Sequence, residues 1–173
     1  MSDVTAPPID TVAAILGSDT PERVASFRAS KPELIDQLEA YYASIFDPAE
    51  DSAAQFPLRD RALVAARVAT HTGSSAVVAW YREVAIQNGA SAELADGVIK
   101  AAQPATGSAA TDAALSHADL LTTAPANATA QDLEKLKAAR LTPGAILALS
   151  QTIAFVSYQL RLIAGFRALG ELA

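Results

Sequence analysis

The chain has 173 residues, 51% of them apolar and only 6% aromatic, with a net charge of −6 at pH 7. That length suits one domain with a sizeable core, and the acidic balance repels phosphate backbones, which argues against a nucleic-acid partner. There is no cysteine, so disulfides, thiolate catalysis and cysteine-based metal sites are excluded outright.

Alanine and leucine lead the helix propensity scale and dominate the apolar residues here. No apolar-polar alternation is long enough to argue for a strand, so an all-α fold is expected. The opening MSDVTAPPID lacks a basic region followed by an apolar run, so no signal peptide is read and a cytoplasmic location is expected. Short helices are expected over 9–16 and 21–29. The second is opened by a Thr20 cap with Pro21 at the first helical position. Residues 1–30 are read as an N-terminal arm and 31–173 as the helical domain. A longer helix is expected over Pro32–Phe46, followed by a polar connector, DPAEDSAAQ.

Two helices, Leu58–Thr70 and 75–88, are joined by HTGS, with Gly89 as the C-terminal cap of the second. Helices over 92–103, 108–122 and 130–139 follow; Thr129 and Asp132 resemble a capping box. The last, 143–169, opens at Thr142-Pro143. Its stretch 145–166 is the most apolar of the chain, but Gln151, Gln159 and Arg161 interrupt it. A core or interface helix is therefore expected rather than a membrane span.

The hairpin holds the candidate site. Ser74 is placed to cap the second helix, so its oxygen faces free backbone N–H groups, and those groups favour an anion or a developing oxyanion. His71 lies three residues away and Tyr81 two turns further on. With Arg82 they are the polar groups from which a small pocket could be made. His71 is the one candidate base for Ser74, but it sits on the wrong side of the turn for an obvious relay and no carboxylate nearby in the sequence orients it. Tyr81, with a reference pKa of about 10, donates a hydrogen bond near neutrality rather than acting as a base. Trp80 is expected to pack. His117 is expected to be half-buried without a partner. The two histidines show no local metal-ligand spacing, so no metal and no cofactor are expected. The acidic residues read as scattered along solvated faces.

Three passages carry a family resemblance: LRDRALVAARVATHTGS, AWYREVAIQNGASAEL, and DLEKLKAARLTPGAILALSQTIAFVSYQLRLIAGF. Together they resemble the alkyl hydroperoxidase D-like branch of the carboxymuconolactone decarboxylase family, all-α proteins that assemble as oligomers. The peroxidase-related members have an Arg where Arg161 stands. They carry a Cys-x-x-Cys pair, a His four residues after the second Cys, and a Glu twelve residues before the first. Carried over by position, the thiols fall on Ser74 and Val77, the His on Tyr81 and the Glu on Ala62. The resemblance thus implies the family's fold without its thiol relay: a degenerate member. Peroxide reduction needs a thiolate to attack the O–O bond and a second thiol to resolve the sulfenic acid. The chain is read first as an accessory or small-ligand-binding protein. The alternatives are a peroxidase-related oxidoreductase, or a decarboxylase or isomerase, working with a non-cysteine pocket, and a purely structural module. The implied partners are copies of itself in a dimer or hexamer, a related cysteine-bearing subunit, or a small apolar ligand. Neither nucleic acid nor membrane is expected.

Overall fold

The computed structural model describes residues 10–18 and 20–171. Ten α-helices follow in chain order: α1 (Thr11–Leu16), α2 (Glu22–Ala29), α3 (Pro32–Phe46), α4 (Glu50–Gln55), α5 (Leu58–Thr70), α6 (Ser75–Gln87), α7 (Ala92–Lys100), α8 (Ala109–Thr123), α9 (Ala130–Ala138) and α10 (Pro143–Glu171). A single 3-10 turn at Pro125–Asn127 links α8 to α9, and no strand occurs among the described residues. The fold is all-α, as the composition and periodicity require.

Local chemistry sets most boundaries. Asp10 accepts from the Ala13 N–H, Ser91 from Leu94 and Ser108 from Thr111. Each side chain satisfies one of the orphan donors of a helix start. Thr129 and Asp132 form the full capping box of α9. Thr142 accepts from Ala145 and opens α10. At the end of α6 Gly89 takes φ +95°, and the Ala90 N–H returns to the Ala85 carbonyl at 2.9 Å. That left-handed turn is the one a glycine makes without a Cβ penalty.

Three boundaries depart from expectation. The stretch read as a connector contains α4; Glu50 and Asp51 stand in its first turn, where acidic groups complement the helix dipole. Pro21 is the N-cap of α2 rather than its first residue, and the Thr20 hydroxyl donates back to the Gly17 carbonyl instead of capping. Helix α7 stops at Lys100, short of 103, because the chain turns to offer the Val98, Ala101 and Ala102 carbonyls to the Arg67 guanidinium. The expected start of the first helix, Ile9, lies outside the described residues.

Helix α5 is the axis of the molecule. Every residue from Asp60 to Ala69 is buried, and α6, α7, α8, α10 and α3 pack around it. Helices α6 and α10 bring Val77, Tyr81, Ala85, Leu149, Phe155, Val156 and Ile163 to the same core. Small side chains at Ala62, Ala65, Ala66 and Ala69 let the neighbours approach closely, and removing one large core residue from such packing typically costs about 2–5 kcal/mol. Helix α10 is long and apolar enough to cross a bilayer, but half of its most apolar window is buried inside the fold.

The described residues of the arm pack against the rest of the fold. Val12, Ile15 and Val24 join the common core. Arg28 is buried, ion-pairs with Asp10 and lies 5.1 Å over the Phe166 ring. The division at residue 30 therefore marks no break in packing.

Candidate functional site

Of the four residues aligned with the family's catalytic positions, three are plain core. Ala62, Val77 and Tyr81 have no solvent exposure. The Tyr81 ring packs 5.2 Å from Phe46, and its hydroxyl donates to Gln159 Oε1 at 2.7 Å. Burial first, and then the neighbouring Tyr42, push the phenol well above its ordinary pKa against the opposing bond to Gln159. Tyr81 is thus a neutral donor and supplies no base. The Gln159 Nε2 on the other side of that bond has no partner among the described residues.

Ser74 stands at the N-cap of α6 as expected, after the turn made by Gly73 at φ +70°. Its side chain, however, makes no capping bond; Oγ is shut off from solvent with no hydrogen-bond partner among the described residues. His71 does not reach it. The imidazole Nε2 lies 2.6 Å from Asp119 Oδ1, so the orienting carboxylate that the local sequence lacks arrives from α8. Asp119 also takes a two-pronged contact from Arg67 at 2.7 and 2.8 Å. Burial alone would raise the Asp119 pKa, but the hydrogen bonds from Arg67 and His71 hold it below the usual carboxylate range. Arg82 lies elsewhere, paired with Asp96 and Glu83 at 2.6 Å each. His71, Ser74, Tyr81 and Arg82 therefore occupy four different settings and do not form one pocket. His117 is more buried than expected, at 7% exposure, with Nδ1 unpartnered among the described residues and its pKa pushed down by desolvation.

The structure does place a cavity at the start of α6. It is open, about 560 Å³ in volume, and is walled by the Thr72–Ser74 turn, the end of α8 and the C-terminal half of α10. Leu160, Ile163 and Ala164 give it an apolar side, and Arg161 and Arg167 a basic one. Arg161 spends one N–H on the Ser157 carbonyl at 3.0 Å. Neither arginine has a carboxylate within ion-pair distance among the described residues, although Glu171 stands at the rim. The turn that leads into α6, up to its N-cap Ser74, and two guanidinium groups thus share one concavity, an electrostatic setting for an anion. Arg167 went unrecognised in the sequence. The signal was present: Ser157, Arg161, Ala164 and Ala168 recur at helical spacing along one face of α10, with Arg167 beside them. No group of His, Asp or Glu among the described residues could hold a metal ion.

No family model matches the chain, and no curated protein does. Among solved structures, an uncharacterized peroxidase-related protein from Silicibacter sp. TM1040 superposes with a TM-score of 0.70 over 95% of this chain and 94% of its own, at 14% identity. This chain shares that protein's helical fold.

Proposed function

We propose that this chain is a non-thiol member of the peroxidase-related fold that binds a small anionic ligand with an apolar body in the cavity at the start of α6. The observation that carries the reading is the pair Arg161 and Arg167, free of carboxylate partners among the described residues and facing the same cavity as the α6 N-terminus. Absence of cysteine removes peroxide reduction by a thiol of its own. The separate settings of His71, Ser74 and Tyr81 disfavour an isomerase or decarboxylase built on them, since acid-base chemistry needs those groups within reach of one reacting atom. The cavity beside Ser74 speaks against a purely structural module. Assembly into a homo-oligomer, or with a cysteine-bearing relative, belongs to the same proposal; exposed Leu147 (61%) and Tyr158 (43%) on the outer side of α10 support it.

The test is a calorimetric titration of the full chain with benzoate and with the neutral analogue benzyl alcohol. Benzoate is expected to bind saturably and benzyl alcohol at least tenfold more weakly. Arg161→Ala and Arg167→Ala should each weaken benzoate about tenfold, the scale of one lost charge-assisted contact. Equal binding of the neutral analogue, or arginine variants that bind as well as the native chain, would overturn the reading.

A further inference from the structure

The molecule has a second cleft of opposite character. It lies between α3 and α6, is capped at one end by Thr11 of α1, and has a volume of about 770 Å³. Two helical stripes face each other across it. On α3 they are Asp36, Glu39, Ala40 and Ala43, with Asp47 just past the helix end; on α6 they are Trp80, Glu83, Val84 and Gln87. Each set recurs at three- and four-residue spacing, the period that puts side chains on one helix face.

The walls are aromatic. Tyr42 and Phe46 stack with their centres 4.8 Å apart, and Trp80 lines the opposite side. Four carboxylates, Asp36, Glu39, Asp47 and Glu83, stand around these rings, and among the described residues no Lys, Arg or His lines the cleft. Among the described residues only Glu83 forms an ion pair, with Arg82 beside it on the surface of α6; Arg28, paired with Asp10, acts on Glu39 as the weakest of its influences. Glu39 is held in place by two donors from Thr11, the backbone N–H at 2.9 Å and the hydroxyl at 2.8 Å. Those bonds fix its carboxylate without neutralising it. Burial pushes its pKa up, opposed by the Thr11 bonds, so a cation beside it would relieve an existing penalty.

The choice of cation follows from spacing. These carboxylates do not draw together into a group that could hold a metal ion. They surround a space large enough for an organic molecule, and their apolar partners are π faces, which attract ammonium groups. The cleft also reaches Gln87 and Asn88 at the C-terminal end of α6, where the helix dipole favours positive charge.

We propose that the α3–α6 cleft is a binding site for an organic ammonium compound. The apolar body of the ligand lies against Tyr42, Phe46 and Trp80, and its charged nitrogen faces Glu39. This site is separate from the cavity at Ser74, shares no residue with it, and stands or falls on its own.

Trp80 is the sole tryptophan of the chain, so its emission reports on the cleft directly. The probe is benzyltrimethylammonium chloride added to the full-length protein, with benzyl alcohol as the neutral control and calcium chloride as the metal control. A saturable change in Trp80 emission is expected with the ammonium probe alone. Glu39→Gln is expected to weaken it at least tenfold. Asp36→Asn, at an exposed position that no described hydrogen bond depends on, is expected to weaken it several-fold and serves as the second variant if Glu39→Gln impairs folding by circular dichroism. Arg161→Ala should leave ammonium binding unchanged. The proposal is overturned if the emission does not saturate, if benzyl alcohol binds as well, if calcium gives the saturable change instead, or if a folded carboxylate variant binds as tightly as the native chain.

Discussion

Two groups of arginines teach different things about this molecule. Arg67, on the buried axis helix, spends its donors on Asp119 and on three carbonyls at the end of α7. Arg161 and Arg167, on the outer part of α10, have between them one backbone carbonyl and no carboxylate among the described residues. A buried charge whose hydrogen bonds are filled is scaffold: it joins elements and has nothing left to offer a ligand. A charge in a cavity with donors to spare is a candidate for recognition. The same sorting separates Tyr81, paired with Gln159, from the α3–α6 cleft, where only Glu83 of the four carboxylates has an ion-pair partner among the described residues.

The sharpest way to break this division is Arg67→Met. The side chain keeps most of its volume and loses every bond to α7 and α8, and Asp119 is left half-buried without its main partner. Loss of one partner of such a pair costs about 3–5 kcal/mol. Urea denaturation should show a fall of that order, together with faster hydrogen exchange in the turn at 100–103. A loss well under 1 kcal/mol would mean that the filled network is not scaffold, and the division would fail. Tyr81→Phe is the next largest. It strands the Gln159 Oε1 in the core, and a buried acceptor left unsatisfied costs about 1–3 kcal/mol. If Tyr81 only fills space and pairs with Gln159, benzoate and ammonium binding should be unchanged in the variant. A selective loss of benzoate binding would move Tyr81 from scaffold to site.

These residues also show how far the sequence could be read. The helices were legible because capping residues, prolines and a three-to-four-residue apolar period mark them locally. Helix α4 was missed because six polar and small residues carry no periodic apolar signal. The alignment of Ala62, Ser74, Val77 and Tyr81 was legible too, but it led to positions that are mostly core. The basic cavity and the acidic cleft were not legible. Each is assembled from helices distant in sequence, and the carboxylates that looked scattered along the chain gather only when α3 and α6 face each other. The same is true of Asp119, which reaches His71 from 48 residues away.

Asp119 supplies the smallest expected effect, and it tests the paired side of the comparison from another direction. Its pKa in the fold lies below that of an ordinary carboxylate, since the bonds from Arg67 and His71 outweigh the opposing effect of burial. A carboxyl with a depressed folded pKa adds stability above its unfolded value, about 4, and loses it as the pH falls through the folded value. The native chain should therefore lose stability on acidification below about pH 4, and Asp119→Asn should flatten that part of the profile while lowering stability at neutral pH. The effect is modest because the carboxylate is partly open to solvent, which screens it. An acid limb that is identical in the two proteins would show that Asp119 is not linked to folding. The contact with His71 would then need another explanation, and His71, reoriented toward the α6 turn, would return as a candidate group of the cavity.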